Sequence, residues 1–314
     1  MKKGWLYQAA LLAAAGLALW FFVSNTAHNL ETRRIASGFG FLWREAGFEI
    51  GETGALAYEA ADTYLRELGI GLWNTARVAS IGVVCATILG TLLGLARLSP
   101  NWLLAKLAGA YVELIRNIPL LVQLFFWYAV ISENLPGPAD AINPLPGIYL
   151  SNRGIFFPLP GSTPELSGFN FAGGASLSPE FAALLIGLVT YTAAFIAEIV
   201  RAGVLSVGRG QVDAAYSIGL ARREALRFVV LPQALRLIVP PLTSQYLNLA
   251  KNSSLAVAIG YPDLVSIANT TMNQTGQAIE GVAIIMAVFL TISLSISAFM
   301  NWYNRRVALK GLRE

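Results

Sequence analysis

The chain has 314 residues, of which 55% are hydrophobic and 13% charged, and its mean hydropathy is +0.58. These values are typical of a polytopic membrane protein. The net charge of +4 does not indicate nucleic-acid binding, because the basic residues are spread between apolar spans. With one cysteine, Cys85, and one histidine, His28, the sequence excludes a disulfide framework and a histidine-rich metal site.

Six apolar segments reach or approach the roughly 20 residues that a helix needs to cross a bilayer. They are residues 7–23, 74–96, 119–131, 179–204, 235–259 and 281–302. The pattern predicts an all-α bundle of about six transmembrane helices. We find no internal repeat, which argues weakly against the inverted-repeat secondary transporters.

The first apolar segment follows Lys2 and Lys3, as the apolar part of a signal peptide would. The run is long, however, and no small-x-small cleavage site follows from Asn25 onward. We therefore expect a retained anchor, and we assign residues 1–70 to this anchor and a segment outside the membrane. Within that segment, residues 55–68 are compatible with an amphipathic surface helix.

The third apolar segment is short, but residues 101–116 before it also have a helical pattern. Together the two stretches exceed the roughly 30 Å of the hydrocarbon core at about 1.5 Å per residue, so one straight span does not fit. Pro119 disfavours helical geometry at Ile118. The sequence therefore predicts a membrane-surface helix that turns into a span at Pro119.

The distribution of Lys and Arg indicates the orientation. These residues are frequent at the amino terminus, in 97–106, in 201–236 and in the carboxyl tail, and rare in 24–73, 132–178 and 261–280. By the positive-inside rule both termini and residues 201–236 lie on the cytoplasmic side. Residues 132–178 contain repeated Pro and Gly and are predicted to be an extracytoplasmic loop.

A polar, arginine-rich stretch, residues 211–233, has the pattern of a helix-turn-helix between two spans. Ala214 and Ala215, with Gly219 beyond them, are predicted to share one helix face that another surface can approach closely. Gly219 is expected to end the first helix in a left-handed cap, and Pro232 to lie in the first turn of the next. The alternative is an ordinary loop that is positive because the topology requires it.

Charged and amide groups inside an apolar span cost several kcal/mol unless they face a cavity or a partner. Lys251 and Asn252 lie in such a span, and Gln123 follows Pro119 among apolar residues. The candidate substrate-path residues are therefore Gln123, Asn248, Lys251, Asn252, Ser253 and Ser254. The alternative for this polar cluster is hydrogen bonding between helices.

Two acid–base pairs, Glu113 with Arg116 and Glu198 with Arg201, are each spaced three residues apart. This spacing places both members on one helix face and predicts two local ion pairs. No metalloprotease, hydrolase-elbow, P-loop or dinucleotide motif occurs, so the chain is not predicted to be an enzyme. If ATP is used, another chain hydrolyses it.

The stretch 211–233 resembles the EAA coupling loop of ABC-importer permeases, which ends in a hydrophobic residue followed by Leu-Pro. The matching residues are Asp213, Ala214, Ala215, Gly219, Leu231 and Pro232. Residues 251–255, Lys-Asn-Ser-Ser-Leu, resemble the Lys-Asp-Thr-Ser-Leu motif of polar amino-acid permeases, where this stretch borders the substrate cavity. Residues 113–123 are also similar to that family, and residues 35–42 look like its general L-amino-acid branch.

The resemblance covers 71–310 as a type I permease domain, with the coupling loop at 205–233. It implies a multi-pass subunit of the bacterial cytoplasmic (inner) membrane that imports polar amino acids by alternating access. The implied partners are an ABC ATPase dimer that holds ATP-Mg, a second permease chain that is related but different, and an extracytoplasmic amino-acid-binding protein. No cofactor is implied on this chain, and no nucleic acid.

Asn252 stands where the motif has an acidic residue, and this removes a carboxylate that would pair with a cationic side chain. Broad or neutral-to-acidic amino-acid substrates therefore fit better than basic ones. Two other classes of protein remain open at this point. One is a secondary amino-acid transporter or channel without an ATPase, and the other is an intramembrane enzyme.

Overall fold

The computed structural model describes residues 2–32, 37–54 and 56–307. Residues 35 and 36, which belong to the segment compared above, and the basic tail residues Lys310 and Arg313 lie outside these ranges. The helices are α1 Lys2–Thr32, α2 Tyr64–Ala96, α3 Trp102–Asn117, α4 Leu120–Ser132, α5 Pro179–Leu205, α6 Arg209–Ser217, α7 Arg222–Ala225, α8 Leu231–Asn252, α9 Leu264–Thr275 and α10 Ala278–Val307.

Five helical segments are long and apolar enough to cross a bilayer, and α3 with α4 would make a sixth as a bent pair. The five are residues 7–26, 64–96, 179–205, 222–259 and 278–306. The predicted mainly helical class and the number of spans are thus confirmed. The apolar windows of α1 and α10 hold no fully buried residue, but α10 packs on α8 and α9, whereas every described side chain in the apolar window of α1 is exposed within this chain.

The turn predicted at Pro119 is present. Helices α3 and α4 meet at an angle of 105°. Pro119 caps the amino end of α4, and Ile118 before it has the extended conformation that a following proline favours (φ −98°, ψ 127°). Asn101 starts α3, because its side chain accepts the N–H groups of Leu103 and Leu104 at 3.0 and 3.2 Å.

Residues 132–178 were predicted to be a loop, and this prediction is wrong. The segment holds six short strands: β1 Ile142–Leu145, β2 Ile148–Ser151, β3 Gly154–Phe157, β4 Glu165–Ser167, β5 Asn170–Ala172 and β6 Ala175–Leu177. An antiparallel sheet has the order β1-β2-β3-β6, and β4 pairs with β5 in a separate hairpin. Most of the prolines and glycines lie between the strands of this β-subdomain (residues 138–177), although Pro144 is in β1 and Gly154 starts β3.

A surface helix was considered for residues 55–68, but the described residues 56–63 of that stretch are not helical. Helix α2 begins only at Tyr64, after Thr63, whose hydroxyl accepts the N–H of Arg66. Residues 37–54 and 56–63, here called the strap, lie against the amino-terminal ends of α2, α5 and α10. Its anchor is Phe41, which is buried against Tyr64 with ring centroids 5.9 Å apart.

The bundle is centred on α5, which contacts α2, α3, α4 and α8, while α10 packs on α8 and α9. The α2–α5 contact depends on small residues. A Cβ atom built on Gly90 would lie 2.6 Å from Cβ of Ile196 and 2.8 Å from the carbonyl oxygen of Ala193. Neither neighbour is the flexible end of a side chain, so the two backbones can approach this closely only if residue 90 is glycine.

We therefore expect Gly90→Ala to lower the free energy of unfolding by about 1 kcal/mol or more, because the added methyl overpacks the contact. Gly69→Ala is the matched control in the same helix, since a Cβ there meets no atom within 4 Å. Thermal unfolding of the purified protein in lipid-containing detergent measures the difference. Equal melting temperatures for the two variants would show that the α2–α5 contact is not tight.

Candidate functional site

The stretch predicted to be a helix-turn-helix forms a corner between α5 and α8. Helix α6 ends at Ser217, and Gly219 follows with φ +87°. The N–H of Gly219 donates to the carbonyl of Tyr216 at 2.9 Å, and the N–H of Leu220 donates to that of Ala215 at 3.1 Å. These two bonds are the pattern of a Schellman cap, so the predicted left-handed end of this helix is confirmed.

The two alanines of the corner do not share an exposed face. Ala214 is exposed, whereas Ala215 is buried against the chain's own interior. The side chains of consecutive helical residues point about 100° apart, so Ala214 can face outward while Ala215 faces the interior. The prediction of one small-residue face is therefore wrong for Ala215. The outward positions are Asp213, Ala214 and Gly219.

The second helix of the corner begins earlier than predicted. It starts at Arg222 and continues through a π-helical turn at residues 226–230 into α8. Pro232 is the second residue of α8 and so lies in its first turn, as predicted, but a helical stretch that starts at Arg222 precedes it. Proline cannot donate a helical hydrogen bond, and the π turn, closed by the N–H of Leu231 to the carbonyl of Leu226, accommodates this irregularity.

The outer surface of this corner unit (residues 208–232) carries exposed charged side chains, four of them arginines, with exposed apolar side chains between them. Ile218 is 78% exposed and Phe228 is 61% exposed. Between the unit and the spans lies an apolar cavity of about 400 Å³, lined by residues such as Leu95, Val204 and Tyr216. Exposed large apolar side chains that cluster on a unit of about 25 residues are typical of a docking site for another protein.

A charge cluster joins the spans just before the corner unit. Glu198 accepts hydrogen bonds from Arg201, whose Nε lies 3.2 Å from Oε2, and it also pairs with Arg97 at the end of α2. The predicted Glu198–Arg201 ion pair is confirmed. The part played by Arg97 was missed, because it lies 101 residues away in sequence.

The other predicted ion pair is not formed. The guanidinium of Arg116 lies 5.0 Å from the centroid of the Phe195 ring on α5, a cation–π contact. Among the salt bridges of the described residues, none joins Arg116 to Glu113. Helix α3 turns this face toward α5, and the aromatic ring there replaces the carboxylate as the partner of Arg116.

The structure divides the predicted substrate-path residues 248–254, at the end of α8 and just after it, into two groups. Asn248 and Lys251, three residues apart, are exposed on the surface of the chain, and Asn252 is half-buried. Ser253 is buried, and its hydroxyl donates to the carbonyl of Ala250 at 2.8 Å. The hydroxyl of Ser254 donates to the carbonyl of Lys251 at 2.8 Å. The two serines therefore bond to the preceding turn, whereas the amide and the lysine face outward.

Gln123 lies at the α3–α4 turn. It is 4% exposed, and its Nε2 donates to the carbonyls of Ile115 and Ile118 at 2.9 and 3.0 Å. These carbonyls belong to the end of α3, which has no helical partner for them. The hydrogen bonds give Gln123 a positioning role at the turn, which the sequence did not reveal. A role in the substrate path stays a prediction.

A second polar cluster, not predicted from the sequence, lies at the end of the bundle that carries the β-subdomain. Arg77 of α2 bonds Glu52 of the strap at 2.8 Å, and its guanidinium lies 4.2 Å from the centroid of Phe181. Nδ2 of Asn74 donates to the carbonyls of Glu52 and Pro262 at 2.8 and 2.9 Å. This outer cluster joins the strap to α2, α5 and the segment before α9.

Asp263 completes the same region. Its Oδ1 accepts the N–H of Ser266 at 2.8 Å and so starts α9. Burial raises the pKa of this carboxyl to about 7, although hydrogen bonds from backbone N–H groups lower it. The pairs Arg97–Glu198, Arg77–Glu52 and Asn74–Pro262 join residues far apart in sequence, which is why no local pattern indicated them.

The sequence profile of the family described as binding-protein-dependent transport system inner membrane component matches residues 86–309. The chain is 41% identical to the general L-amino acid transport system permease protein AapQ of Rhizobium johnstonii, over 93% of this chain and 88% of the relative. It is 36% identical to the glutamate/glutamine/aspartate/asparagine transport system permease protein BztB of Rhodobacter capsulatus, over 96% and 92%.

A solved structure is similar as well. A crystal structure described as an amino acid ABC transporter with histidines superimposes with a TM-score of 0.57 at 27% identity. The match covers 77% of this chain and 95% of the other. The match therefore leaves about a quarter of this chain uncovered.

Proposed function

The chain belongs to the family of binding-protein-dependent transport system inner membrane components, and we propose that it is the transmembrane permease subunit of an ATP-driven importer of polar amino acids. The observation that carries this proposal is the corner unit. The corner unit is a capped helix between two spans, and it carries exposed apolar side chains. These features fit a subunit on which a cytoplasmic protein docks and whose spans move with that protein. The names of AapQ and BztB support amino acids as the substrate class.

The proposed assembly has four kinds of component. An ABC ATPase dimer docks on residues 205–233 and holds ATP-Mg, so this chain needs no cofactor and is not itself an enzyme. A second permease chain, related but different, completes the membrane part. An extracytoplasmic amino-acid-binding protein delivers the substrate. The assembly lies in the bacterial cytoplasmic membrane with both termini and the corner unit inside, as the positive-inside rule indicates.

The proposed mechanism is alternating access. ATP-driven closure of the ATPases moves the corner unit, and the spans tilt so that the cavity opens to the inside. The cluster of Glu198 with Arg97 and Arg201 supports this transmission, because it ties α2 and α5 together directly beside the corner unit. A displacement of the corner would then move both helices together.

The proposed substrate path runs along the outward face of α8. A lysine and an amide in contact with lipid tails would cost several kcal/mol, so Lys251 and Asn248 need a polar cavity or a polar partner. We infer that the second permease chain encloses this face. Lys251 has no carboxylate next to it in sequence, so its positive charge attracts the carboxylates of a substrate and repels a cationic side chain. This fits neutral and acidic amino acids better than basic ones.

The main alternative is a secondary transporter or channel that works without an ATPase, and an intramembrane enzyme is the other. Purification of the tagged chain from native membranes in mild detergent separates them. We expect an ATPase subunit to co-purify in a constant ratio and to be released when Asp213, at the exposed surface of α6, is replaced by Lys. A transport-competent chain that purifies without any ATPase would contradict the proposal.

The substrate path can be tested at Asn252. Asn252→Asp restores a carboxylate beside Lys251, so transport of arginine and lysine relative to glutamate and glutamine is expected to rise by about tenfold. Relative rates are measured in liposomes at saturating binding protein, because that protein also filters substrates. Asn252→Ala is the control for loss of the amide. Unchanged ratios in both variants would make the polar cluster a packing feature of the helices.

A further inference from the structure

The β4–β5 hairpin of the β-subdomain presents an aromatic side chain to solvent. Its two-residue turn consists of Gly168 and Phe169, with Gly168 at φ +63°. A glycine at the first central position is what a type II′ hairpin turn requires, so the turn places Phe169 at the tip. Phe169 is 91% exposed, the highest value among the large apolar side chains that the structure describes as exposed.

The hairpin is held rigidly from its base. The ring of Phe171 on β5 lies between those of Tyr149 and Phe156, with centroid distances of 4.5 and 4.8 Å. The N–H of Gly174, just after β5, donates to the hydroxyl of Ser162 at 2.8 Å. An anchored hairpin prevents Phe169 from folding back onto the subdomain. An aromatic side chain that is held exposed to water contributes favourable free energy only when a partner buries it.

The location of the hairpin limits what that partner can be. The β-subdomain is inserted between α4 and α5, at the end of the bundle away from the corner unit. The turn end of the hairpin adjoins a cavity of about 720 Å³, which Asn170 lines together with Trp73, Arg77 and Arg153. A protein seated on Phe169 would therefore stand over this cavity and the outer cluster.

The charge of the subdomain favours a protein over a lipid surface. Residues 132–178 contain three acidic residues, Glu133, Asp140 and Glu165, and a single basic one, Arg153. Anionic lipid headgroups would be repelled by this excess of negative charge, whereas a protein surface with a basic rim around an apolar pocket complements it. Leu166, opposite Phe171 on the hairpin, is half-exposed and extends the apolar part of the contact.

We propose that the β-subdomain is the docking platform for the amino-acid-binding protein and that Phe169 is its aromatic anchor. This inference rests on the proposed function, because it assumes that a binding protein delivers the substrate. The partner surface it requires is an apolar pocket with lysines or arginines at the rim, close to the opening from which the amino acid leaves. Docking there would release the amino acid over the cavity that Arg77 and Arg153 line.

The first test uses the reconstituted importer and the purified binding protein loaded with a transported amino acid. Phe169→Ala is expected to raise the binding-protein concentration for half-maximal ATPase stimulation about tenfold, as truncation of an interface anchor does, with the maximal rate unchanged. Leu145→Ala is the control, because Leu145 is 60% exposed in the β1–β2 hairpin of the same subdomain. Equal curves for Phe169→Ala and Leu145→Ala would overturn the proposal.

The second test identifies the occupant directly. Phe169→Cys in a Cys85→Ala background is labelled with a photoactivatable thiol reagent and irradiated in the membrane with the binding protein present. We expect a cross-link to the binding protein, and Glu165→Lys should weaken it most at low salt. Cross-links only to lipid or to the second permease would overturn the docking platform. Failure of the proposed function is distinguishable, because the wild type would then show no stimulation by any binding protein.

Discussion

Gly219→Val is expected to abolish amino-acid uptake and the ATPase stimulation that accompanies it, while the protein stays inserted at normal abundance. Gly219 has φ +87°, a conformation that a β-branched residue adopts only with strain. Valine would therefore break the cap that the N–H groups of Gly219 and Leu220 form on α6. The corner unit would lose its shape at the surface where the ATPase docks, and ATP-driven movement would no longer reach the spans.

Two further variants distinguish an effect of backbone conformation at residue 219 from an effect of added side-chain bulk. A Cβ on Gly219 meets no atom of the described chain within 4 Å, and the same holds for Gly210 in α6, whose φ is ordinary. Gly210→Val is therefore the matched control and should keep most activity. Asn tolerates the left-handed conformation, so Gly219→Asn should keep the cap. Normal substrate-stimulated ATP hydrolysis in Gly219→Val would contradict the coupling role of this corner.

Glu198→Ala is expected to lower the free energy of unfolding by about 2–4 kcal/mol and to reduce uptake strongly. The change leaves the guanidinium groups of Arg97 and Arg201 without their carboxylate, and the side chain of Arg97 is only 16% exposed. Removing one partner of a largely buried ion pair costs more than the pair contributes, because the remaining charge stays desolvated. Two like charges would also repel each other at the junction of α2 and α5.

Glu198→Gln is the informative companion, because it keeps the shape and the acceptor oxygen but removes the charge. We expect it to fall between the wild type and Glu198→Ala. Thermal unfolding in lipid-containing detergent gives the stability, and binding-protein-stimulated ATP hydrolysis gives the coupling. A wild-type melting temperature for Glu198→Ala would mean that the cluster does not hold α2 and α5 together.

The spans were predictable because a bilayer demands long apolar helices, and composition alone reveals them. The bend at Pro119 and the cap at Gly219 were also predictable, since each depends on the backbone restrictions of one residue. Helix α9 was missed although its boundaries carry local signals. Asp263 accepts a backbone N–H at its start, and Gly276 ends it at φ +72°.

The β-subdomain was missed for a different reason. Its strands have only three or four residues, so apolar alternation is too short to stand out from the prolines and glycines between them. The outer cluster and the contact of Arg97 with Glu198 depend on residues distant in sequence. The burial of Ala215 and the π turn before Pro232 depend on how the corner packs against the spans, which no local pattern encodes.

The most direct test of the whole account is uptake of labelled glutamate and glutamine into proteoliposomes that contain this chain, its second permease and the ATPase. ATP is enclosed in the lumen of the liposomes, where the ATPase subunits lie, and the binding protein is added to the outside. The account predicts uptake that requires both ATP hydrolysis and the binding protein and that ceases with a non-hydrolysable ATP analogue. Uptake by this chain without an ATPase, driven by an ion gradient, would contradict it.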